Sequence, residues 1–147
     1  MARRYDYIQN IFSYKTEDDL ANIVEKSSSK WLIFSNRNAN EIMSAIKSQN
    51  IDCILLSREK INSNAKVNDE YNYIIDHETT SKKVVISTSV LDNGINIKND
   101  KLKENEKILN IAIDVTDRTE FIQMLGRIRF NDTDKINLYI KENSIDE

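Results

Sequence analysis

The chain has 147 residues, of which 21 are lysine or arginine and 24 are aspartate or glutamate, giving a formal net charge of -3. This length is typical of one domain and leaves no room for a second. With 39% hydrophobic and 31% charged residues, the composition predicts a soluble globular chain and excludes a disordered or membrane-spanning one. Because the balance is acidic, any contact with nucleic acid has to come from a local patch.

Cysteine content and the N-terminal segment indicate the compartment. Cys53 is the single cysteine, so no internal disulfide can form, and the chain has no paired Cys and His spacing of the kind a zinc finger needs. The first residues, MARRYDYIQN, lack the apolar core of a signal peptide. We therefore expect a cytoplasmic, reducing environment, no membrane association, and a core position for Cys53.

Glycine is rare in this chain and proline is absent. Gly94 and Gly126 are 32 positions apart, whereas a Walker A loop or a dinucleotide-binding fingerprint needs closely spaced glycines, because the backbone has to approach phosphate. The chain is therefore not expected to carry either of these phosphate-cradling loops by itself.

Apolar runs and periodic patterns predict strands that alternate with helices. In chain order, we predict a strand at residues 5–14, a helix capped by Thr16, a strand at 31–34, a helix capped by Asn38 or Asn40, and a strand at 51–56. The second half adds a polar loop at 57–68, a short helix around Tyr71, Ile74 and Ile75, a strand at 84–86, a solvated loop at 96–107, a strand at 108–115, a helix at 120–129, and a strand at 136–140.

This alternation is typical of a three-layer α/β domain with a mostly parallel sheet, here of about six strands. In such sheets, functional residues lie in the loops that leave the carboxyl ends of the strands. The loops of interest are therefore residues 35–40, 57–68, 87–97 and 116–120.

Two segments contain both glycines. The strand at 84–86 runs into STSVLDNGINI at 87–97, and the last predicted helix contains QMLGRIR at 123–129. Together with WLIFSN at 31–36, these segments resemble motifs V, VI and IV of superfamily 2 helicases, in the order found in the second RecA-like lobe. The resemblance spans roughly residues 30–140, and its departures from the family pattern resemble a divergent branch such as the phage or mobile-element helicases.

The motif V resemblance implies contacts with a nucleic-acid strand and with a nucleotide. It implies that Thr88 contacts the phosphate backbone and that Gly94 lets the chain turn beside it. Asn96 stands where the family usually has an aspartate that touches the nucleotide ribose, and an amide can still bond a hydroxyl, although without charge. At the same predicted sheet edge, Ser35, Arg37 and Arg58 are further candidate strand contacts.

The motif VI resemblance implies that Gln123 and Arg127 act on ATP, with arginine reaching the γ-phosphate bound on the first lobe. The second arginine of the motif is expected at position 130, which is Phe130, and Arg129 precedes it. Since each helical residue turns by about 100°, Arg129 can substitute only if the helix ends near it.

The resemblance therefore implies the C-terminal motor lobe of an ATP-dependent helicase or translocase. Its partners are DNA or RNA, bound through the phosphate backbone, and the N-terminal RecA-like lobe, which holds ATP with Mg²⁺. This chain alone is expected to bind no cofactor tightly and to be inactive. The alternative is a non-catalytic module that keeps the lobe's shape and binds protein or nucleic acid, as Asn96 and Phe130 suggest.

Several residues also have ordinary structural interpretations. Asn93 and Gly94 are typical of a hairpin turn, and two arginines near a helix end can simply complement its dipole. His77 is expected at the surface. Asp114 and Asp117 lack a third ligand nearby, and Asp117 can cap the next helix, so we assign no metal.

Overall fold

The computed structural model describes residues 8–88, 95–99, 102–115, 117–126, 128–130 and 135–142. Its strands are β1 (Ile8–Tyr14), β2 (Lys30–Ser35), β3 (Cys53–Leu56), β4 (Val84–Ser87), β5 (Ile95–Ile97), β6 (Ile108–Asp114), β7 (Ile128–Phe130) and β8 (Ile136–Lys141). Its helices are α1 (Glu17–Lys26), α2 (Ala39–Lys47), α3 (Arg58–Ser63), α4 (Ala65–His77) and α5 (Arg118–Gly126), with a short 3-10 helix at Glu104–Glu106.

Six of the strands form one sheet in the order β1-β8-β6-β2-β4-β3, and every neighbouring pair in it is parallel. β5 and β7 form a separate parallel pair. Parallel neighbours need crossover connections, which the helices supply. The predicted α/β domain with a mostly parallel sheet of about six strands is confirmed.

The hydrophobic core lies on both faces of the sheet, because successive residues of a strand point to opposite faces. In β2, Trp31 and Ile33 pack into one cluster with residues of α1 and α2. Leu32 and Phe34 pack into a second cluster with residues of α4, α5, β5 and β7. A continuous apolar run is the pattern expected of a strand buried on both faces.

Two of the predicted helix caps are confirmed. The Thr16 hydroxyl accepts a hydrogen bond from the Asp19 backbone amide at 3.1 Å, and α1 begins at Glu17. The Asp117 carboxylate accepts from the Glu120 amide at 3.1 Å, so α5 starts at Arg118, earlier than predicted. These bonds satisfy backbone donors that the first turn of a helix leaves unpaired.

The predicted polar loop at 57–68 is wrong. α3 begins after Ser57, whose hydroxyl accepts from the Lys60 amide at 3.2 Å. α4 begins after Asn64, whose side chain accepts from the Val67 amide at 3.2 Å, and it continues to His77. The caps were visible as polar residues, but the sparse apolar residues of these helices hid their periodicity.

The predicted helix over residues 120–129 is too long. α5 ends at Gly126, and residues 128–130 form β7 instead. Ile128 is buried whereas Arg129 is exposed, which is the alternation of a strand lying on the core. Arg129 therefore belongs to a strand and not to a helix terminus.

Residues 96–107 are only partly a solvated loop. Asn96 and Ile97 belong to β5, and Ile97 is buried. Asn99 is also buried, and its side chain bonds both the amide and the carbonyl of Ile108 at 2.9 Å each. This amide pairs the backbone where β6 begins, so the segment is fixed to the sheet at that point.

Cys53 and His77 occupy the environments expected from the sequence. Cys53 is buried in the core, and burial raises the pKa of its thiol to about 12. His77 is exposed at the end of α4, where its ring stacks on Tyr73 with 4.1 Å between centroids. Among the described residues, no helix is both long and apolar enough to cross a membrane.

Candidate functional site

Four polar side chains lie in a row at the carboxyl edge of the sheet. Tyr14 of β1 is in register with Lys141 of β8, and Ser35 of β2 is in register with Asp114 of β6. Since β8 and β6 are also neighbours, with Ile113 opposite Ile140, the row continues across all four strands. We call these four residues the edge row.

Asp114 is the centre of the edge row and is 5% exposed. Its Oδ2 accepts hydrogen bonds from the Ser35 hydroxyl and from the Asn38 side-chain amide, both at 3.2 Å. Lys141 Nζ lies 3.8 Å from Asp114 Oδ1 and 3.1 Å from Glu17 Oε2. A buried carboxylate is costly unless it is paired and hydrogen-bonded, and here it is both.

These bonds determine how the chain leaves β2. The Ser35 hydroxyl also accepts a hydrogen bond from the Asn38 backbone amide at 3.0 Å. The first and last residues of the 35–38 turn are therefore bonded to each other and to Asp114 of β6. Asn38 is the N-cap residue of α2, as predicted, but its side chain makes no capping bond because it bonds Asp114 instead. Asn36 donates to the Glu120 carboxylate at 2.6 Å, which ties the same turn to α5.

Tyr14 is the end of the edge row. Its hydroxyl is buried and finds no hydrogen-bond partner in the part of the chain that the structure describes. Burial, reinforced by the negative charges of Asp114 and Glu17, raises the pKa of the Tyr14 hydroxyl well above its usual value of 10.0. The hydroxyl therefore stays protonated over the physiological range.

The predicted strand contacts lie at the ends of three adjacent strands. Arg37 follows β2 and is exposed, Arg58 opens α3 after β3 and is exposed, and Thr88 follows β4 and is half-buried. The Thr88 amide donates to the Leu56 carbonyl at 3.1 Å, which positions Thr88 beside the end of β3. Two cations and one hydroxyl thus share one edge of the sheet, a set of groups suited to phosphate oxygens.

Ser35 does not fit the prediction of a direct strand contact. It is fully buried, and its hydroxyl is engaged with Asp114 and with the Asn38 amide. Its side chain has no surface to offer to a strand. It instead fixes the turn on which Arg37 lies.

The segments that contain Asn96 and Arg129 meet in the small parallel sheet. Asn96 of β5 is in register with Arg129 of β7, and both are exposed, whereas their neighbours Ile97 and Ile128 are buried. Residues paired in a parallel ladder place their side chains on the same face. Gln123 is exposed on α5, which leads to β7. Gly94 and Arg127 lie outside the described residues.

The chemistry of these donors suits an anion. Arg129 has no ion-pair partner in the described part of the chain, and its guanidinium offers a planar set of donors for phosphate. The side-chain amides of Asn96 and Gln123 add neutral donors. Among the described residues there is no group of three or more acidic, histidine or cysteine side chains that could hold a metal ion.

Sequence reasoning missed the organising role of Asp114. From the sequence, the carboxylate at the end of a buried strand suggests only a metal ligand, because its partners are far away in the sequence. Ser35 and Asn38 are 79 and 76 positions away, and only the β2–β6 register brings them together. The one available signal was the phase of β6, which continues from Ala112 to Asp114 on a single face.

Comparisons with known proteins identify the fold. No protein-family model and no curated protein matches the chain. A solved structure does, "S. cerevisiae Dbp5 bound to RNA and ADP BeF3", with a TM-score of 0.62 and 18% sequence identity over 96% of this chain. This chain spans 37% of that one.

The likeness defines a class of fold: the chain is a RecA-like α/β domain with a parallel six-stranded main sheet. At this level of sequence identity, what is shared with the Dbp5 structure is the fold.

Proposed function

We propose that the chain is the C-terminal motor lobe of an ATP-dependent nucleic-acid helicase or translocase. The observation that carries the proposal is the β5–β7 pairing, which sets Asn96 beside Arg129 on one exposed face. These residues come from two segments that each resemble a helicase motif and are distant in the sequence. A motor lobe needs both segments at one surface, facing the lobe that holds the nucleotide.

The strand-binding half of the proposal rests on the carboxyl edge of the main sheet. Arg37 and Arg58 supply charge, and the Thr88 hydroxyl makes no hydrogen bond to the described residues. Such a set positions a strand through its phosphates without reading its sequence. Binding by this lobe is weak, because an acidic chain with a net charge of -3 offers few cations.

The nucleotide half rests on the exposed donors near β7. In the proposed motor, ATP with Mg²⁺ on the first lobe supplies the phosphoryl group that is transferred to water. Arg127 and Arg129 stabilise the charge that develops there, and Gln123 and Asn96 add hydrogen bonds. This chain contributes these donors from across the cleft and does not hold the nucleotide by itself.

The proposal is tested by comparing ATP turnover of the 147-residue chain with that of the full-length protein, each with and without single-stranded nucleic acid. We expect no turnover near ~1 s⁻¹ from the chain alone, and strand-stimulated turnover at or above that rate from the full-length protein. The proposal would be contradicted by ATP turnover from the isolated chain. It would also be contradicted by a full-length protein that neither hydrolyses ATP nor responds to single strands.

A second candidate function is a non-catalytic binding module with the same fold. Asn96 favours it, because an amide replaces the charged residue that the resemblance leads us to expect, and so does the absence of an arginine at position 130. The two candidates differ in what precedes Met1 in the native gene. A glycine-rich phosphate loop followed by an acidic box favours the motor, whereas their absence favours the module.

A further inference from the structure

A groove on another part of the surface follows the edge of the main sheet. β3 is the last strand of the sheet order and pairs with β4 alone among the described strands. Beside its other edge lies a cavity of about 630 Å³, between α2 on one side and α3 and α4 on the other. Its wall includes Cys53, Leu55 and Val67, and we call it the edge groove.

The free edge of β3 offers backbone groups of both kinds. The Leu56 carbonyl accepts from the Thr88 amide, so Leu56 directs its backbone toward the β4 side. Since backbone groups alternate along a strand, Cys53 and Leu55 direct theirs toward the edge groove. No hydrogen bond from the described residues reaches these N–H and C=O groups.

The rim of the edge groove is positively charged. Lys47, Lys60 and Lys66 line it, and none of them has an ion pair among the described residues. Three acidic residues also line it, so lysines outnumber them by four to three: Asp69 is exposed, and the other two are engaged. Asp52 pairs with Lys82 at 3.5 Å, and the buried Glu70 carboxylate accepts hydrogen bonds from the Ser81 amide and hydroxyl.

We propose that the edge groove binds an extended acidic peptide of a partner protein, which adds to β3 as a further strand. The open N–H and C=O groups of Cys53 and Leu55 supply the ladder, and the three lysines pair with carboxylates of the peptide. Since a strand rises about 3.3 Å per residue, β3 has room for about four peptide residues. Val67 supplies apolar contact for a side chain that points toward α4.

A nucleic-acid strand fits this groove less well than a peptide. A phosphate backbone supplies acceptors for the lysines and for the N–H groups, but it has no donors for the C=O groups of Cys53 and Leu55. A peptide supplies donors and acceptors in alternation. The groove also lies along the first residues of β3, whereas the proposed strand contacts lie beyond its last residue, Leu56.

The probe is a peptide of about ten residues in which pairs of glutamates alternate with pairs of valines, so that both faces of the added strand carry carboxylates, titrated into the 147-residue chain. We expect saturable binding, and exchange of the Cys53 and Leu55 amide protons should slow by about 10-fold or more. The matched peptide with lysine in place of glutamate should not bind. N-methylation of alternate peptide amides on the edge that faces β3 should abolish the protection.

The variant Lys47→Glu/Lys66→Glu should weaken binding of the acidic peptide by about 10-fold or more, because both side chains are exposed and lose their attraction. Lys26→Glu, an exposed change on α1 away from the groove, should alter it by less than about 2-fold. Equal binding of both peptides, or no binding, overturns the proposal. So does an oligonucleotide that competes at these lysines while the Cys53 and Leu55 amides stay unprotected.

Discussion

The edge row and the β5–β7 pair differ in where their polar side chains find partners. In the edge row, Asp114 and Ser35 are buried and bonded to each other, and Lys141 completes the ion pairs. On the β5–β7 pair, Asn96 and Arg129 are exposed and have no side-chain partner within the described part of the chain.

This difference indicates two roles, one that fixes the local structure and one that is available to bind another group. The paired part of the edge row, Asp114 with Ser35 and Lys141, has one arrangement, because breaking it leaves a charge without compensation. It fixes the turn that carries Arg37. Exposed donors are already solvated, so they are ready to bind a group that another surface presents. The Asp114 cluster is thus formed within this chain, whereas in the proposed motor the β5–β7 pair acts together with the first lobe.

The largest effect is expected at Arg127, which stands between α5 and β7. In the full-length protein, Arg127→Ala should lower ATP turnover by ~10³-fold or more, because arginines that act across a cleft contribute about 10³–10⁵. ATP affinity should change much less. Steady-state turnover under saturating strands measures this, with Arg118→Ala at the exposed start of α5 as the control. Unchanged turnover would assign Arg127 a structural role.

The next effect is on stability. Asp114→Ala should lower the free energy of unfolding of the chain by about 3 kcal/mol, because it removes one of the two carboxylates near Lys141 and leaves the Ser35 hydroxyl and the Asn38 amide without their acceptor. Asp52→Ala, which removes a carboxylate that is 67% exposed, should cost less than about 1 kcal/mol. Urea titrations at neutral pH compare the two. Equal losses would mean that the edge row is no more than a surface ion pair.

Tyr14 provides a sharper test of the edge row, since its hydroxyl is buried without a described partner. Tyr14→Phe should raise the stability at pH 7 by about 1 kcal/mol, because an unpaired buried polar atom is lost. The pH dependence should also change. The folded pKa is raised above the unfolded value of 10.0, so the wild type should lose stability as pH rises past 10.

At pH 11, this ionisation should cost the wild-type fold about 1.4 kcal/mol that Tyr14→Phe does not lose. Thermal or urea unfolding at pH 7, 9 and 11 checks both parts. Destabilisation by Tyr14→Phe at pH 7 would show that the hydroxyl has a partner, and parallel pH profiles would show that folding does not raise the pKa of Tyr14.

The smallest effect is expected at Thr88. In the full-length protein, Thr88→Ala should weaken single-strand binding or movement by about 5-fold, the value of one hydrogen bond, with an unchanged salt slope. Arg37→Ala should instead reduce the log–log salt slope by about 0.7. Titrations of labelled strands at several salt concentrations distinguish the two changes. If Thr88→Ala is silent in binding and in movement, Asn93 and Gly94 are better interpreted as a hairpin turn.

Much of the fold was predictable because strands buried on both faces are continuous apolar runs. The run Trp31–Leu32–Ile33–Phe34 is an example, and its structure as β2 is confirmed. The prediction of a loop at residues 57–68 was wrong because polar asparagine and lysine side chains cover α3 and the start of α4. The helix predicted to continue to residue 129 was wrong at its end, where β7 forms, because Ile128 fits the spacing of a helix as well as the alternation of a strand.

The organisation of the site was less predictable than the fold. Strand ends could be assigned to one edge of the sheet from topology rules, and Arg37, Arg58 and Thr88 do lie there. Burial of Ser35 and the bonds around Asp114 depend on the register between strands far apart in the sequence. No local pattern encodes that register, so a surface role for Ser35 was expected and the paired carboxylate was not.

The most direct test of the proposed motor role is the ATP turnover of Arg129→Ala in the full-length protein, measured with saturating single strands beside Arg118→Ala. We predict a loss of at least about 10-fold for Arg129→Ala, since in the proposed motor a guanidinium on the exposed face of β7 stabilises transferred charge. Strand affinity and the Arg118→Ala rate should stay close to wild type. Turnover of Arg129→Ala equal to wild type would contradict the claim that the β5–β7 pair faces the nucleotide.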